Sequence, residues 1–347
     1  MTQQDPSDSQ PLDLAAASLT RQEVQELREK HYNAEVSAFL RIHDELAIVR
    51  VRLNAGQLPF VPGQYTVLGL GYWERRVPGV QQESLAEEQL RHVVKRAYSI
   101  SSPILDAAGN LVRPQEAAEL EFYIALVRRA EQHVPALTPR LFALAVGDRL
   151  FVGPHAHGQY TLRGVGPDDD IIFAATGTGE APHNAMLAEL LASRAVGQAS
   201  SLTHQAGSLI YGHRGRIALA TCVRQQRDLA YLATHRRLEQ MFPQYRYFGL
   251  TTREPWNLDP AHPDFVGKSY LQDFFGSGRF EQTWGTLDPG HTHIFLCGNP
   301  AMIGAPQHLH ALRFYPQPTG MVEIFERRGF RLDEPHRPGN LHLEKYW

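Results

Sequence analysis

The chain has 347 residues, 43% of them hydrophobic, with 34 Lys+Arg against 37 Asp+Glu and a formal net charge of -3. At about 100 to 200 residues per domain this length implies two domains, and the near balance of charge gives no global pull toward nucleic acid or anionic membrane. Two cysteines, Cys222 and Cys297, are too few for a cysteine zinc site, a four-thiolate iron-sulfur cluster or a disulfide framework, which fits a reducing, cytoplasmic compartment. No apolar stretch reaches the ~18 residues of a membrane span, and residues 1–13 have neither the basic start nor the apolar core of a signal peptide.

Residues 1–30 read as a polar tail followed by a short helix from Thr20 to Lys30, with Thr20 as N-cap. From His31 to Leu70 the runs VSAFLRI, LAIVRVRL and YTVLGLG, separated by Asn54-Ala55-Gly56 and Pro62-Gly63, predict antiparallel strands. The charged segment Glu74–Lys95, with a helical SLAEEQLRHVV inside it, reads as a solvated excursion between two strands. RAYSISSP (Arg96–Pro103) and LEFYIALV (Leu120–Val127) predict further strands. VPALTPRLF (Val134–Phe142) predicts a turn into a short helix with Thr138 as N-cap and Pro139 at its first position. Several short strands before any alternation with helices argue for a closed or nearly closed antiparallel barrel over residues 31–164.

Over residues 165–347 the pattern changes to strands alternating with helices. IIFAAT (Ile171–Thr176), SLIYGH (Ser208–His213), YRYFGLTT (Tyr245–Thr252) and HIFLCG (His293–Gly298) alternate with helices at Pro182–Ala195, Asp228–Met241, Ser269–Phe275 and from Pro300. That alternation predicts right-handed crossovers and a parallel α/β sheet of Rossmann-like type, with ligands beyond the carboxyl ends of its strands. The edge would gather Thr176–Glu180, Gly212–Arg216, Thr251–Arg253 and Cys297–Pro300. Gly177 and Gly179 let the backbone approach a diphosphate at a helix start, although Ala181 and Pro182 stand where a full GxGxxG fingerprint has its third glycine.

Four motifs in one order, RAYS (Arg96–Ser99), GTGEAP (Gly177–Pro182), CGNPAM (Cys297–Met302) and a terminal Tyr346-Trp347, resemble ferredoxin:NADP reductase, and the terminal aromatics its bacterial branch among flavoprotein pyridine nucleotide reductases. The resemblance implies an FAD-binding barrel followed by an NADP-binding domain. It places Arg96, Ala97, Tyr98 and Ser99 on the flavin, with Arg96 at the diphosphate, Tyr98 against the isoalloxazine and Ser99 near its reacting nitrogen. It adds Ala136, Leu137 and Thr138 as a second diphosphate contact, Thr176 near the flavin, and Tyr346 and Trp347 over the ring, with Trp347 as a gate. For NADP(H) it implies Gly177, Thr178, Gly179, Cys297, Gly298 and Asn299 at the nicotinamide side. Arg224, Thr252, Arg253 and Lys268 would serve the 2′-phosphate, with Tyr270 on adenine and Arg214 and Arg216 as neighbouring cations. Ser99, Cys297 and Trp347 are then the catalytic candidates. Glu180 departs from the family, where this position is commonly aliphatic; beside a diphosphate it must point into solvent or pair with a base.

The implied activity is exchange of a hydride between NADP(H) and FAD, and of single electrons with a ferredoxin or flavodoxin. The reductase component of an oxygenase, or a general NADPH-dependent flavin oxidoreductase, is an alternative, and a flavin-binding redox sensor is the non-enzymatic one. No metal is expected, because neither His155 with His157 nor His291 with His293 has the spacing of a helical zinc pair.

Overall fold

The computed structural model describes residues 19–197, 212–310 and 312–346. Helix α1 (Arg21–His31) starts where expected. The Thr20 hydroxyl accepts the Glu23 N–H at 3.2 Å while the Glu23 carboxylate accepts the Thr20 N–H at 2.8 Å, a reciprocal capping box. Strands β1 (Ala34–His43), β2 (Leu46–Leu53), β3 (Tyr65–Gly71), β4 (Val93–Ser99), β5 (Leu120–Ala125) and β6 (Arg149–Val152) form one antiparallel sheet in the order β4-β3-β6-β1-β2-β5. Its two edges meet just past β4, in a single bridge between Ser101 and Glu121, so the barrel is nearly closed. Alternating inward positions, among them Val36, Val49, Val51, Leu68, Leu70, Phe122 and Val152, fill its interior.

The second sheet is wholly parallel. Strands β7 (Asp170–Thr176), β8 (Ile217–Val223), β9 (Tyr245–Thr251), β10 (Thr292–Gly298) and, after the small hairpin β11–β12 (Gln307–Leu309, Leu312–Phe314), β13 (Leu341–Lys345) lie in the order β13-β10-β7-β8-β9. Along β7, Ile171 and Phe173 pack into the core on one face, and Ile172 and Ala174 into the core on the other. Burial on both faces explains why this strand reads as an unbroken apolar run.

Several expectations are corrected. The strand beside β7 is IALATCV, all seven residues of which are buried, and not Ser208–His213. Ser208–Tyr211 lie outside the described residues, and Gly212 and His213 are in the approach to β8. Gly212–Arg216 is therefore at the amino edge, opposite the carboxyl ends of the strands, where Arg214 holds Asp168 at 2.7 and 2.6 Å and Arg216 holds Asp170. Helix α3 (Glu180–Gly197) begins two residues before Pro182, which a helix tolerates in its first turn. The segment expected as one helix from Asp228 is a 3₁₀ turn, Gln226–Asp228, and then α4 (Leu232–Met241).

Two corrections concern the barrel. In the excursion after β3 only Glu87–Arg91 is helical, as a 3₁₀ turn, and the two valines already belong to β4. Nor is it a solvated loop, for Glu74 and Leu90 are buried and the Glu83 side chain is 9% exposed. Helix α2 (Thr138–Leu141) takes Leu137 as its N-cap and Thr138 as its first residue; the Thr138 hydroxyl instead accepts the Val127 N–H at 3.2 Å.

Candidate active site between the two sheets

The loops after β7 and β10 are locked backbone to backbone. Gly177 turns the chain with φ +54° into the 3₁₀ turn Gly177–Gly179, from which α3 starts. A Cβ on Gly179 would stand 2.4 Å from the Cys297 carbonyl oxygen, and one on Gly298, at φ +124°, 2.3 Å from Thr176 Oγ1. Only glycine permits this approach. Thr176 Oγ1 accepts the Asn299 N–H at 2.8 Å, and Asn299 Oδ1 caps the short helix Pro300–Ile303 by accepting the Ala301 N–H at 2.8 Å. Thr176 and Asn299 thus hold the loops after β7 and β10 through hydrogen bonds to the backbone.

Tyr346 joins this edge to the barrel. Its N–H donates to Gly298 O at 3.1 Å, and its hydroxyl lies 3.0 Å from Ser99 Oγ at the end of β4 and 3.3 Å from the Thr178 carbonyl. A phenol donating to that carbonyl leaves its oxygen free to accept from Ser99. Cys297 is fully buried alongside, and burial pushes its thiol well above the ordinary range. Ser99, Thr178, Cys297 and Tyr346 are therefore brought together, whereas Trp347 lies outside the described residues.

On β4, Arg96 and Ala97 are exposed, and the only hydrogen bond of the Arg96 guanidinium among the described residues is to the Lys95 carbonyl, at 2.8 Å. Tyr98 is half-buried, and its surroundings raise the phenol pKa. The N–H groups of Ala136, Leu137 and Thr138 have no acceptor among the described residues. Past the carboxyl ends of β8 and β9 the N–H groups of Thr252 and Arg253 donate to Arg224 O at 3.3 and 2.8 Å, and Ser269 N–H donates to Thr251 O at 3.3 Å. These bonds gather the ends of β8 and β9 and the 268–270 segment. Arg224, Arg253, Lys268 and Tyr270 are exposed there, and the three cationic side chains have no hydrogen-bond or ion-pair partner among the described residues. The Thr252 hydroxyl is buried and donates to Val223 O at 3.3 Å.

A family model for the oxidoreductase NAD-binding domain matches residues 173–308. The chain is 27% identical over 304 residues to the flavodoxin/ferredoxin–NADP reductase of Escherichia coli (strain K12), covering 87% of this chain and 93% of that one. It is 26% identical over 219 residues to ferredoxin–NADP reductase A of Sorangium cellulosum (strain So ce56), covering 60% and 64%. Among solved structures, a ferredoxin NADP+ reductase from Neisseria gonorrhoeae superposes with TM-score 0.62 at 16% identity, over 91% of this chain and 98% of that one. A Plasmodium falciparum ferredoxin-NADP+ reductase superposes with TM-score 0.59 at 16% identity, over 92% and 97%. In sequence the chain is similar to flavodoxin/ferredoxin–NADP reductases, and it shares the fold of the ferredoxin–NADP+ reductases.

Within this fold, the chain carries two polar networks that local sequence patterns do not announce. Glu180, fully buried, turns into the core and pairs with a base: its Oε1 lies 2.6 Å from His235 Nε2, while His235 Nδ1 lies 2.9 Å from the Tyr245 hydroxyl. The His235 ring stacks on Tyr247 at 4.1 Å and 13°. Arg140, 1% exposed, is held by Glu83 from the excursion after β3. Their partners are 55 and 57 positions away, beyond any helical or strand period. Among the described residues no group of three or more His, Cys, Asp or Glu could hold a metal ion, and no helix is long and apolar enough to cross a membrane.

Proposed function

We propose that this chain is an FAD-dependent reductase in which NADPH and a ferredoxin or flavodoxin exchange electrons. One observation carries the reading: Ser99, brought by the barrel, and Thr178 and Cys297, brought by the parallel sheet, converge on the Tyr346 hydroxyl, while cations without a partner among the described residues stand at the same edge of the sheet, past β8 and β9. The close-packed glycine loops and the N–H groups of residues 136–138, which have no acceptor among the described residues, suit a cradle for two diphosphates.

FAD, when bound, supplies the conversion between hydride and single-electron transfer. The chain's own residues bind and orient. Arg96 offers a permanent charge and a fork of donors to a diphosphate, and Tyr98 a flat face to the ring. Gly177 and Gly179 bring the backbone close to the nicotinamide nucleotide, and Arg224, Arg253 and Lys268 supply charge for a 2′-phosphate. Ser99 and Cys297 flank the reacting region as small groups, with Cys297 kept a neutral thiol by burial. The relatives' names support a small redox protein as partner, and two buried free cysteines suit a reducing cytoplasm.

The test is anaerobic mixing of the purified protein with NADPH, followed by ferredoxin or flavodoxin. Bleaching of the flavin and passage of electrons to the small protein are expected. Bleaching with transfer only to free quinones would indicate a general flavin oxidoreductase, and no bleaching a sensor.

A further inference from the structure

The β3–β4 connection and helix α2 meet in a buried cluster of two arginines and one glutamate. The side chains of Arg76, Glu83 and Arg140 are 7%, 9% and 1% exposed. Arg140 Nη2 donates to Glu83 Oε2 at 2.6 Å and to Tyr72 O at 3.0 Å; its Nη1 donates to Glu83 Oε1 at 3.3 Å and to Ala136 O at 2.7 Å. Arg76 Nη2 donates to Gln81 O at 3.0 Å and Pro135 O at 2.8 Å, with its Nε 4.0 Å from Glu83 Oε2. Val77 N–H reaches Pro139 O at 3.0 Å. The excursion is thus bolted to residues 135–140, and two positive charges against one negative leave the cluster cationic.

Each arginine grips one carbonyl of successive peptides. In a trans peptide the N–H points opposite to the C=O. Arg76 on Pro135 O therefore turns the Ala136 N–H away from the cluster, and Arg140 on Ala136 O does the same for the Leu137 N–H. Neither N–H has an acceptor among the described residues. Two adjacent peptides are held with donors outward, and a buried cation stands behind them.

We propose that Arg76, Glu83 and Arg140 are positioning residues for the second phosphate of the flavin diphosphate, acting through the backbone of Pro135, Ala136 and Leu137. The proposal rests on the flavin reading above. Glu83 holds Arg140 by hydrogen bonds and faces Arg76 at 4.0 Å, the arginines fix the two carbonyls, and the carbonyls fix the direction of the donors. The excursion after β3 is then a part of the cofactor site that touches no cofactor.

The discriminating measurement is flavin affinity, read from the fluorescence regained as flavin leaves the purified holoprotein on dilution, first with FAD and then after exchange into FMN, which lacks the second phosphate. Glu83→Gln keeps the size and one acceptor but not the charge; Arg76→Met removes the grip on Pro135 O and leaves the Arg140–Glu83 pair, and it serves if Glu83→Gln fails to fold. Each is expected to weaken FAD about tenfold, the loss of roughly one charge-assisted contact, and FMN less than about twofold. Equal weakening of both flavins, or of neither, overturns the proposal and leaves the flavin reading standing. A wild-type protein that holds no flavin overturns both.

Discussion

At the residue scale, the glycine loops and the two cysteines give the sharpest expectations. Gly179→Ala drives a methyl into the Cys297 carbonyl, and overpacking of this kind costs about 1 to 3 kcal/mol. The variant should melt earlier and bind NADP+ more weakly, by calorimetry and by titration of the flavin band. Arg253→Ala should behave in the opposite way. Its side chain is exposed and without a partner among the described residues, so the melting temperature should hold. Affinity for NADPH should fall by about 1 to 3 kcal/mol with NADH unchanged, because only the former carries the extra phosphate. Equal losses for both nucleotides would remove Arg253 from the phosphate site. Cys297 is fully buried and Cys222 nearly so, and burial raises both thiols, that of Cys222 to about 12. Alkylation of the native protein by iodoacetamide should therefore leave both unmodified by mass spectrometry, and unfolding should expose two.

At the element scale, α3 shows what a helix loses when it is buried along its described length. Besides Glu180, its first turns bury His183 and Asn184 completely. His183 Nε2 lies 2.7 Å from the Tyr160 hydroxyl, its ring sits against Phe173, and burial lowers its pKa to about 3. His342 on β13 stacks on Phe295; burial first, then the neighbouring His293, lowers its pKa to about 4 against the pull of Asp333. Both rings stay neutral in the fold but protonate below about pH 6.5 once unfolded. Their contribution to stability is complete above about pH 6.5 and is lost as pH falls toward 4 and then 3. Denaturant unfolding should give a markedly lower free energy at pH 5 than at pH 7. His183→Gln, which keeps an acceptor for Tyr160 but cannot titrate in this range, should flatten that difference. An unaltered pH dependence would mean His183 is not buried as a neutral ring. The strand-turn-helix around Gly177 was legible because its period, glycines and proline are local. The partners of His183 and Glu180 come from elements 23 and 55 residues away, and no local pattern names them.

At the scale of the whole molecule, the two sheets are pinned by polar groups buried between them. The Tyr231 hydroxyl donates to Glu121 Oε1 at 2.9 Å and lies 3.3 Å from Ser101 Oγ, while Arg50 holds the other Glu121 oxygen at 2.9 Å. The Tyr123 hydroxyl donates to the Asp228 carbonyl at 2.8 Å, and the two tyrosine rings meet edge to face at 5.3 Å. Tyr231→Phe strips one donor from a buried carboxylate and should cost about 1 to 3 kcal/mol, seen as a lower melting temperature or as two separated transitions in calorimetry. A single, unshifted transition would show that the lock does not couple the halves. The sequence by itself determined the kind of each half and the order of the motifs, because alternation of two, unbroken apolar runs and glycine turns are local consequences of how a backbone buries its polar groups. For the same reason it put the glycine turn after β7 and the Cys297–Pro300 segment at one edge of the sheet, where the structure has them. Tertiary structure alone chose IALATCV as the neighbour of β7, sent Arg214 and Arg216 to the far edge, and folded a charged excursion onto α2. Those outcomes depend on which of several apolar runs gains most from burial and which distant charge can satisfy a buried arginine, and both are settled only when the whole chain is packed.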